Sequence, residues 1–310
     1  MPLIVSVPDL ELAGAVAALP PALGSEVEFV VWAFDDSAPP RDSFDIVVPP
    51  YLPADQFLPK IERVRTRLVQ QQSIGYDGIA GHLPPGLAFA NAATVHETAT
   101  SELAVTLALA MQRGIPGFVH DAAHGVWNMH WQPGLADRRV LLLGYGGVNQ
   151  AVEKRLAGFD VDVVRVARTA RDTPAGRVHG LGALPALLSA VDIVIAAVPL
   201  DPSTQGLVSA AFLAALPDDA LVINVARGPV ADTAAILAEA SSGRLRFALD
   251  VTDPEPLPAD HPLWSLPNVL VTPHVGGASD AMGPRMVALI RRQIDHALNG
   301  EPFENVVLRG

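Results

Sequence analysis

The chain contains no cysteine. That excludes disulfide frameworks, thiolate metal sites and a cysteine nucleophile. Basic residues are scarce: 21 Lys and Arg stand against 33 Asp and Glu, a formal net charge of −12. Binding a duplex needs a basic stripe, and none is visible. The acidic balance favours solubility and argues against nucleic acid or an anionic membrane as partner. Long apolar runs are missing too. The longest helix-like one, Leu103 to Met111, falls short of the roughly 20 residues that cross a bilayer. The opening MPLIVSVPDLELAG has no basic stretch and carries Asp9 and Glu11, so it does not read as a signal peptide. The expected location is cytoplasmic.

What is present is a long, apolar chain. Its 310 residues, half of them hydrophobic, suit two domains of roughly 150 residues with sizeable cores. Short Val/Ile/Leu runs alternate with helical patterns. Leu3–Val7, Val27–Trp32, Asp45–Val48, Arg67–Gln71 and Leu87–Asn91 read as strands, with helices over Glu11–Leu19 and Ala54–Arg65. Near-continuous apolar strands separated by helices imply a parallel sheet covered on both faces. One long helix is expected over His96–Arg113, followed by a loop with Trp127 and Trp131.

A second series then begins. Its strands are Val140–Gly144, Val161–Ala167, Asp192–Val198, Ala220–Ala226, Phe247–Val251 and Val269–Pro273. Helices fit Gly147–Ala157, Ala210–Leu216 and Asp232–Ser241, and a last helix runs from about Ser279 to Leu298 before a short tail. The expected fold is α/β, with two doubly wound parallel-sheet domains. The helices at 96–113 and 279–298 are the candidate crossings between them, an arrangement that suits closure about a hinge.

The second series opens with a nucleotide-binding pattern. A strand enters Gly144-Tyr145-Gly146-Gly147-Val148-Asn149, and a helix follows. Gly144 permits the tight turn. Gly146 lets the backbone approach a pyrophosphate, and the helix N-terminus offers free N–H groups to it. Asn149 stands where the third glycine of the fingerprint belongs. Either the helix sits further out, or the Asn149 amide reaches a phosphate or ribose. At the end of the next strand an acid would bind the ribose 2′-OH of NAD. Ala167 stands there instead, followed by Arg168, Thr169 and Arg171. Arg168 and Arg171 suit a 2′-phosphate through charge-assisted hydrogen bonds. NADP(H) is therefore favoured, with NAD(H) the second candidate.

Three further segments carry chemistry: Asn-Val-Ala-Arg227-Gly, Asp250-Val-Thr-Asp-Pro-Glu255-Pro and Thr-Pro-His274-Val-Gly276. Each follows an expected strand, and open α/β sheets bind ligands at the carboxyl ends of their strands. Arginine binds a carboxylate or polarises a carbonyl. Histidine donates a proton to a forming alkoxide, and a carboxylate holds the imidazole in one tautomer. Together they are what reduction of a 2-oxo acid requires.

From about Ile74 to the C-terminus the ordered motifs resemble the D-isomer-specific 2-hydroxyacid dehydrogenase family. They include the glycine turn, Val198-Pro199-Leu with Thr204, Asn-x-Ala-Arg-Gly, Asp-Val-x-x-x-Glu-Pro, Leu-x-x-Leu-Pro-Asn-Val and Thr-Pro-His. The resemblance implies a flavodoxin-like substrate domain over 1–95 plus 276–310, and a Rossmann NAD(P)-binding domain over 96–275. It implies Arg227 as the substrate-binding arginine, with Glu255 paired to His274, which serves as acid in reduction and base in oxidation. Asp250 would contact the nicotinamide carboxamide. Ser73, Ile74 and Gly75 would form the loop offering N–H groups to the substrate carboxylate, although Ile-Gly-Tyr replaces the more usual Gly-Ala-Gly type. Cofactor contacts are also implied for Tyr145, Val148, Val198, Pro199, Thr204, Val225, Ala226 and Gly276. Tyr51, Tyr76 and Trp131 are candidate pocket walls. The partner is a small 2-oxo or 2-hydroxy acid, and a homodimer through 96–131 is expected.

Other chemistries fit less well. His120 and His124 share a helical face but have no third ligand nearby, so no metal site is expected. A nucleophile elbow of the G-x-S-x-G kind is missing, which disfavours a hydrolase. Two alternatives resemble the same fold: a formate- or phosphite-type dehydrogenase, and a non-catalytic dinucleotide-sensing corepressor. Formate enzymes carry glutamine where Glu255 stands.

Overall fold

The apolar runs form two separate sheets, each within its own compact unit. The computed structural model describes residues 1–20, 23–35 and 38–310. Unit 1 is Met1–His96 with Asp280–Gly310, and unit 2 is Glu97–Ser279. The divisions thus lie at 96/97 and 279/280, against 95/96 and 275/276 in the sequence reading. His96 stays with unit 1 because its ring Nε2 meets the Gln72 carbonyl at 2.6 Å. Gly276 stays with unit 2 because its N–H donates to Asp250.

The first segment of unit 1 runs β1 (Leu3–Val7), α1 (Leu10–Ala17), β2 (Val27–Val31), β3 (Ser43–Val47), α2 (Ala54–Ile61), β4 (Arg65–Gln70) and β5 (Ala88–Ala90). Asp9 starts α1 by accepting the Leu12 N–H, which satisfies one of the otherwise orphaned first-turn donors.

Unit 2 begins with α3 (Glu97–Gln112) and α4 (Ile115–Ala123). The single long helix of the sequence reading ends at Gln112. The chain turns through Gly114, and Pro116 sits in the first turn of α4, where its missing N–H costs nothing. The sheet series follows: β6 (Arg139–Leu143), α5 (Gly147–Leu156), β7 (Asp162–Ala167), β8 (Arg171–Thr173), β9 (Gly176–Gly180), α6 (Leu184–Leu187), β10 (Ile193–Ala196), α7 (Ala210–Ala214), β11 (Leu221–Asn224), α8 (Thr233–Ser241), β12 (Arg246–Leu249) and β13 (Val269–Val271). The strand order is β13-β12-β11-β10-β6-β7-β9-β8, parallel except for β8 against β9. From β9 to β12 it is the 3-2-1-4-5-6 order of a doubly wound dinucleotide fold. Alternate residues of β6 enter opposite cores: Leu141 and Leu143 pack with Phe212 and Phe247, Val140 and Leu142 with Leu107 and Val152. Both faces of the strand are apolar because both are covered by helices.

The chain then returns to unit 1 as α9 (Met282–Asn299) and β14 (Val306–Arg309). There the order is β14-β5-β4-β3-β1-β2, the 2-1-3-4-5 order of flavodoxin-like sheets with β14 added antiparallel at one edge. The sequence reading had only a short tail in place of β14. Helix α9 buries Met286, Leu289, Ile290 and Ile294 against Val5, Val7, Ile46 and Leu68. Each such side chain contributes roughly 1.5–3 kcal/mol when fully buried.

Candidate active site

The glycine turn lies at the point where strand order reverses, between β6 and β10, the usual ligand crevice of an open α/β sheet. Gly144 has φ +86°, and a Cβ there would meet the Ala197 carbonyl oxygen at 2.5 Å. Only glycine fits that approach. Helix α5 starts at Gly147, with Gly146 as an extended N-cap that makes no side-chain cap. Its first N–H groups are thus available to an anion. Asn149 resolves the question left by the missing third glycine. Its side chain is fully buried, and Nδ2 donates to the carbonyls of Leu143 (3.1 Å), Gly144 (2.6 Å) and Ile195 (3.2 Å). The amide fastens α5 to the ends of β6 and β10. The reading in which it reaches a phosphate or ribose is corrected: the side chain points into the protein.

Tyr145 also turns inward. Its hydroxyl donates to Glu153 Oε2 (2.5 Å), and Glu153 pairs with Arg165. Burial pushes the Glu153 carboxyl up, but hydrogen bonds from Arg165 and Tyr145 and the Arg165 charge outweigh it and hold it below its ordinary range. Burial and the neighbouring Glu153 raise the Tyr145 phenol. The Arg171 guanidinium lies 6.0 Å from the Tyr145 ring centroid and donates Nη2 to the Tyr145 carbonyl (2.9 Å). Arg168 is exposed and paired with Asp201, while Thr169 is exposed beside it. Val148 is half-buried at the start of α5, and Val198 is buried against Gly144. Pro199 is exposed, and its carbonyl accepts the Thr204 hydroxyl (2.6 Å). Thr204 is itself buried. Its hydroxyl braces the 199–204 loop.

Arg227, Glu255 and His274 lie beyond the carboxyl ends of β11, β12 and β13, which are neighbours in the sheet. His274 Nδ1 and Glu255 Oε1 are 2.6 Å apart, and both side chains are about two-fifths exposed. His274 has φ +52°, a left-handed conformation that needs support. Its own N–H donates to the Asp250 carbonyl (2.8 Å). The buried Asp250 carboxylate accepts from Thr272 Oγ1 (2.6 Å), the Val275 N–H (2.9 Å) and the Gly276 N–H (2.9 Å). Asp250 and Gly276 thus shape the turn that carries His274. Arg227 donates Nη1 to the Ala226 carbonyl (2.7 Å). The Asn224 side chain accepts from the Ala226 N–H and donates to the Arg227 carbonyl, with Val225 and Ala226 buried between. At Gly228 a Cβ would stand 1.9 Å from the Thr252 carbonyl oxygen, so glycine brings the arginine loop against the loop leading to Glu255.

In unit 1, loop 73–75 follows β4. Its carbonyls are all tied back: Ser73 to the Ala92 N–H, Ile74 to Asn91 Nδ2 (2.7 Å) and Gly75 to Ser73 Oγ (3.1 Å). Among the described residues no protein acceptor takes the Ile74 or Gly75 N–H. Tyr51 is exposed, its ring 6.0 Å from that of His96. Tyr76 packs against the unit 1 core. Trp131 is 94% exposed. The sequence reading passed over Asp201, Asn91, Glu153 and Arg165. Each acts through a partner distant in sequence, and only the polar residue left beside an apolar strand end hinted at Asn91. Among the described residues no cluster of three or more His, Asp or Glu side chains suits a metal, and no helix is long and apolar enough to cross a membrane.

A family model for the D-isomer specific 2-hydroxyacid dehydrogenase NAD-binding domain matches residues 105–276. The human glyoxylate reductase/hydroxypyruvate reductase is 33% identical over 213 residues, 66% of this chain and 65% of that protein. The mouse protein of the same name is 30% identical over 303 residues, 92% of each. A D-isomer specific 2-hydroxyacid dehydrogenase of Xanthobacter autotrophicus, solved with NADPH and MES, superposes with a TM-score of 0.82 at 29% identity, covering 99% of this chain and 98% of that one. The chain belongs to the D-isomer specific 2-hydroxyacid dehydrogenase family and is an NAD(P)-dependent oxidoreductase.

Proposed function

We propose that the protein is an NADPH-preferring reductase of small 2-oxo acids, of the glyoxylate/hydroxypyruvate type. The contact between His274 and Glu255 carries this reading. A carboxylate can only accept, so it fixes the proton on Nδ1 when the ring is neutral, and the protonated ring has Nε2–H to give. His274 is then the acid that protonates the alkoxide in reduction and the base in oxidation. Arg227 binds the substrate carboxylate and polarises the carbonyl. Loop 73–75, within unit 1, suits a carboxylate through its Ile74 and Gly75 N–H groups. The nicotinamide, when bound, supplies the hydride. The Gly146–Val148 backbone suits its pyrophosphate, and Arg168 its 2′-phosphate. Bound NADPH in the Xanthobacter relative supports that choice of cofactor.

Glu255 does not favour a formate-type enzyme, and the names of the relatives favour neither a phosphite-type enzyme nor a corepressor. The test is oxidation of NADPH and NADH with glyoxylate, hydroxypyruvate, pyruvate and a branched 2-oxo acid, beside formate and phosphite in the oxidative direction. Turnover with phosphite or formate alone would sink the proposal.

The arm made by α4 and the following loop supports a homodimer. No residue of α4 is buried. Val119, Trp127, Met129 and Trp131 are all well exposed, an apolar grouping that soluble proteins usually cover with a partner. We assign a second copy of this chain as that partner.

A further inference from the structure

The two arginines offered to the 2′-phosphate are held differently. Arg171 is committed to the glycine turn through the Tyr145 carbonyl and ring. Arg168 touches one carboxylate: its Nη2 donates to Asp201 Oδ2. Among the described residues nothing else engages its Nη1 or Nε. One edge of the guanidinium is occupied and the rest of the fork is open.

Asp201 is a rigid post. Its Oδ1 accepts the Ser203 N–H (2.8 Å) and the Ser203 hydroxyl (2.6 Å). Its backbone N–H donates to Thr204 Oγ1 (2.9 Å), and its carbonyl accepts the N–H groups of Thr204 (3.0 Å) and Gln205 (2.9 Å). Hydrogen bonds from the Ser203 hydroxyl and N–H, and then Arg168, hold the carboxyl below its ordinary range, so it is charged at neutral pH.

We propose that Asp201 is a positioning residue for cofactor choice: it orients Arg168 at the end of β7 so that the open part of the fork meets the cofactor's 2′-phosphate. This rests on the reading of Arg168 given above. A long exposed side chain loses rotamer freedom when it binds, and a fixed carboxylate removes part of that loss beforehand. The opposing effect is repulsion between Asp201 and the phosphate. A phosphate on the open part of the fork has the guanidinium between it and the carboxylate, and that positive charge attracts each anion from a shorter distance than the anions repel each other. Orientation therefore prevails.

The test compares wild type, Asp201→Asn, Arg168→Ala and the double variant with NADPH and NADH. Asn keeps an acceptor for Ser203 but removes the charge that holds the guanidinium. Asp201→Asn should raise KM for NADPH about fivefold, with kcat at saturating NADPH and KM for NADH both within about twofold of wild type. The double variant should be no worse than Arg168→Ala. Calorimetry with adenosine 2′,5′-bisphosphate and with 5′-AMP should show the same selective loss without turnover. An unchanged or lower KM for NADPH in Asp201→Asn, while Arg168→Ala loses its preference, overturns the inference and leaves the Arg168 reading standing. An unchanged preference in Arg168→Ala overturns both.

Discussion

The imidazole of His274 meets the carboxylate of Glu255 at 2.6 Å, Nδ1 to Oε1, from the ends of adjacent strands. Replacing Glu255 with Gln keeps the shape but lets the ring flip or change tautomer. Glu255→Gln and His274→Ala should each lower kcat by about 10²–10⁴-fold. Affinity for NADPH, read by fluorescence titration, should stay within a few fold. Near-normal turnover in His274→Ala would remove the proposed acid.

Arg227 is held by the Ala226 carbonyl and by the Asn224 bracket beneath it. Arg227→Lys keeps the charge but loses the planar fork. It should raise KM for glyoxylate and lower kcat together, and Arg227→Ala should be worse by about tenfold or more. Steady-state kinetics at saturating NADPH would decide. A change confined to the KM for cofactor would move Arg227 out of the substrate site.

Gly228 leaves no room for a methyl group, since a Cβ would lie 1.9 Å from the Thr252 carbonyl. Gly228→Ala must push the arginine loop and the glutamate loop apart. We expect a loss of about 1–3 kcal/mol in stability and a drop in kcat larger than that stability loss explains. Thermal unfolding beside turnover measures both, and a fully active, equally stable variant would contradict the packing.

The Glu153–Arg165 pair has side chains only 17% and 15% exposed. The Glu153 carboxyl lies below its ordinary 4.5 in the folded protein. Its contribution is therefore complete above that ordinary value and is lost as pH falls through the lower folded one. Glu153→Gln should destabilise the protein by roughly 1–3 kcal/mol near neutrality and flatten the acid side of the stability curve. Denaturant melts from neutral pH down to about pH 3 would show the difference shrinking. A difference that grew with acid would reverse the sign and refute the assignment.

Trp127 and Trp131 are 97% and 94% exposed. If a second copy covers them, Trp127→Ser with Trp131→Ser should shift the species measured by light scattering from dimer to monomer. A wild-type protein that is monomeric at micromolar concentration would dismiss the interface.

The two sheets were legible because buried strands must be apolar on both sides. Runs such as Val140–Leu143 and Ile193–Ala196 leave no other reading. The hairpin Arg171–Gly180 was not legible: it is polar, lies at a sheet edge and alternates weakly. Strand β14 was missed because four residues after a long helix read as a tail. In the site, Gly144, Arg227, Glu255 and His274 stand in local motifs. The inward turn of Asn149, the bracing by Thr204 and the pairing of Arg168 with Asp201 are different. Asn149 and Arg168 depend on a carbonyl and a carboxylate 46 and 33 residues away, which no local spacing reveals, and the Thr204 bracing depends on how a short loop folds back on itself.

Unit 2 is one uninterrupted stretch set into unit 1, whose sheet has β14 at the edge beside β5. During synthesis the dinucleotide half can therefore acquire its whole core while the other half still lacks α9 and β14. For that interval the apolar surface of Val5, Ile46 and Leu68 has no helix α9 to cover it. The interval between completion of unit 2 and emergence of α9 thus leaves the nascent protein exposed to sticking and to chaperone capture.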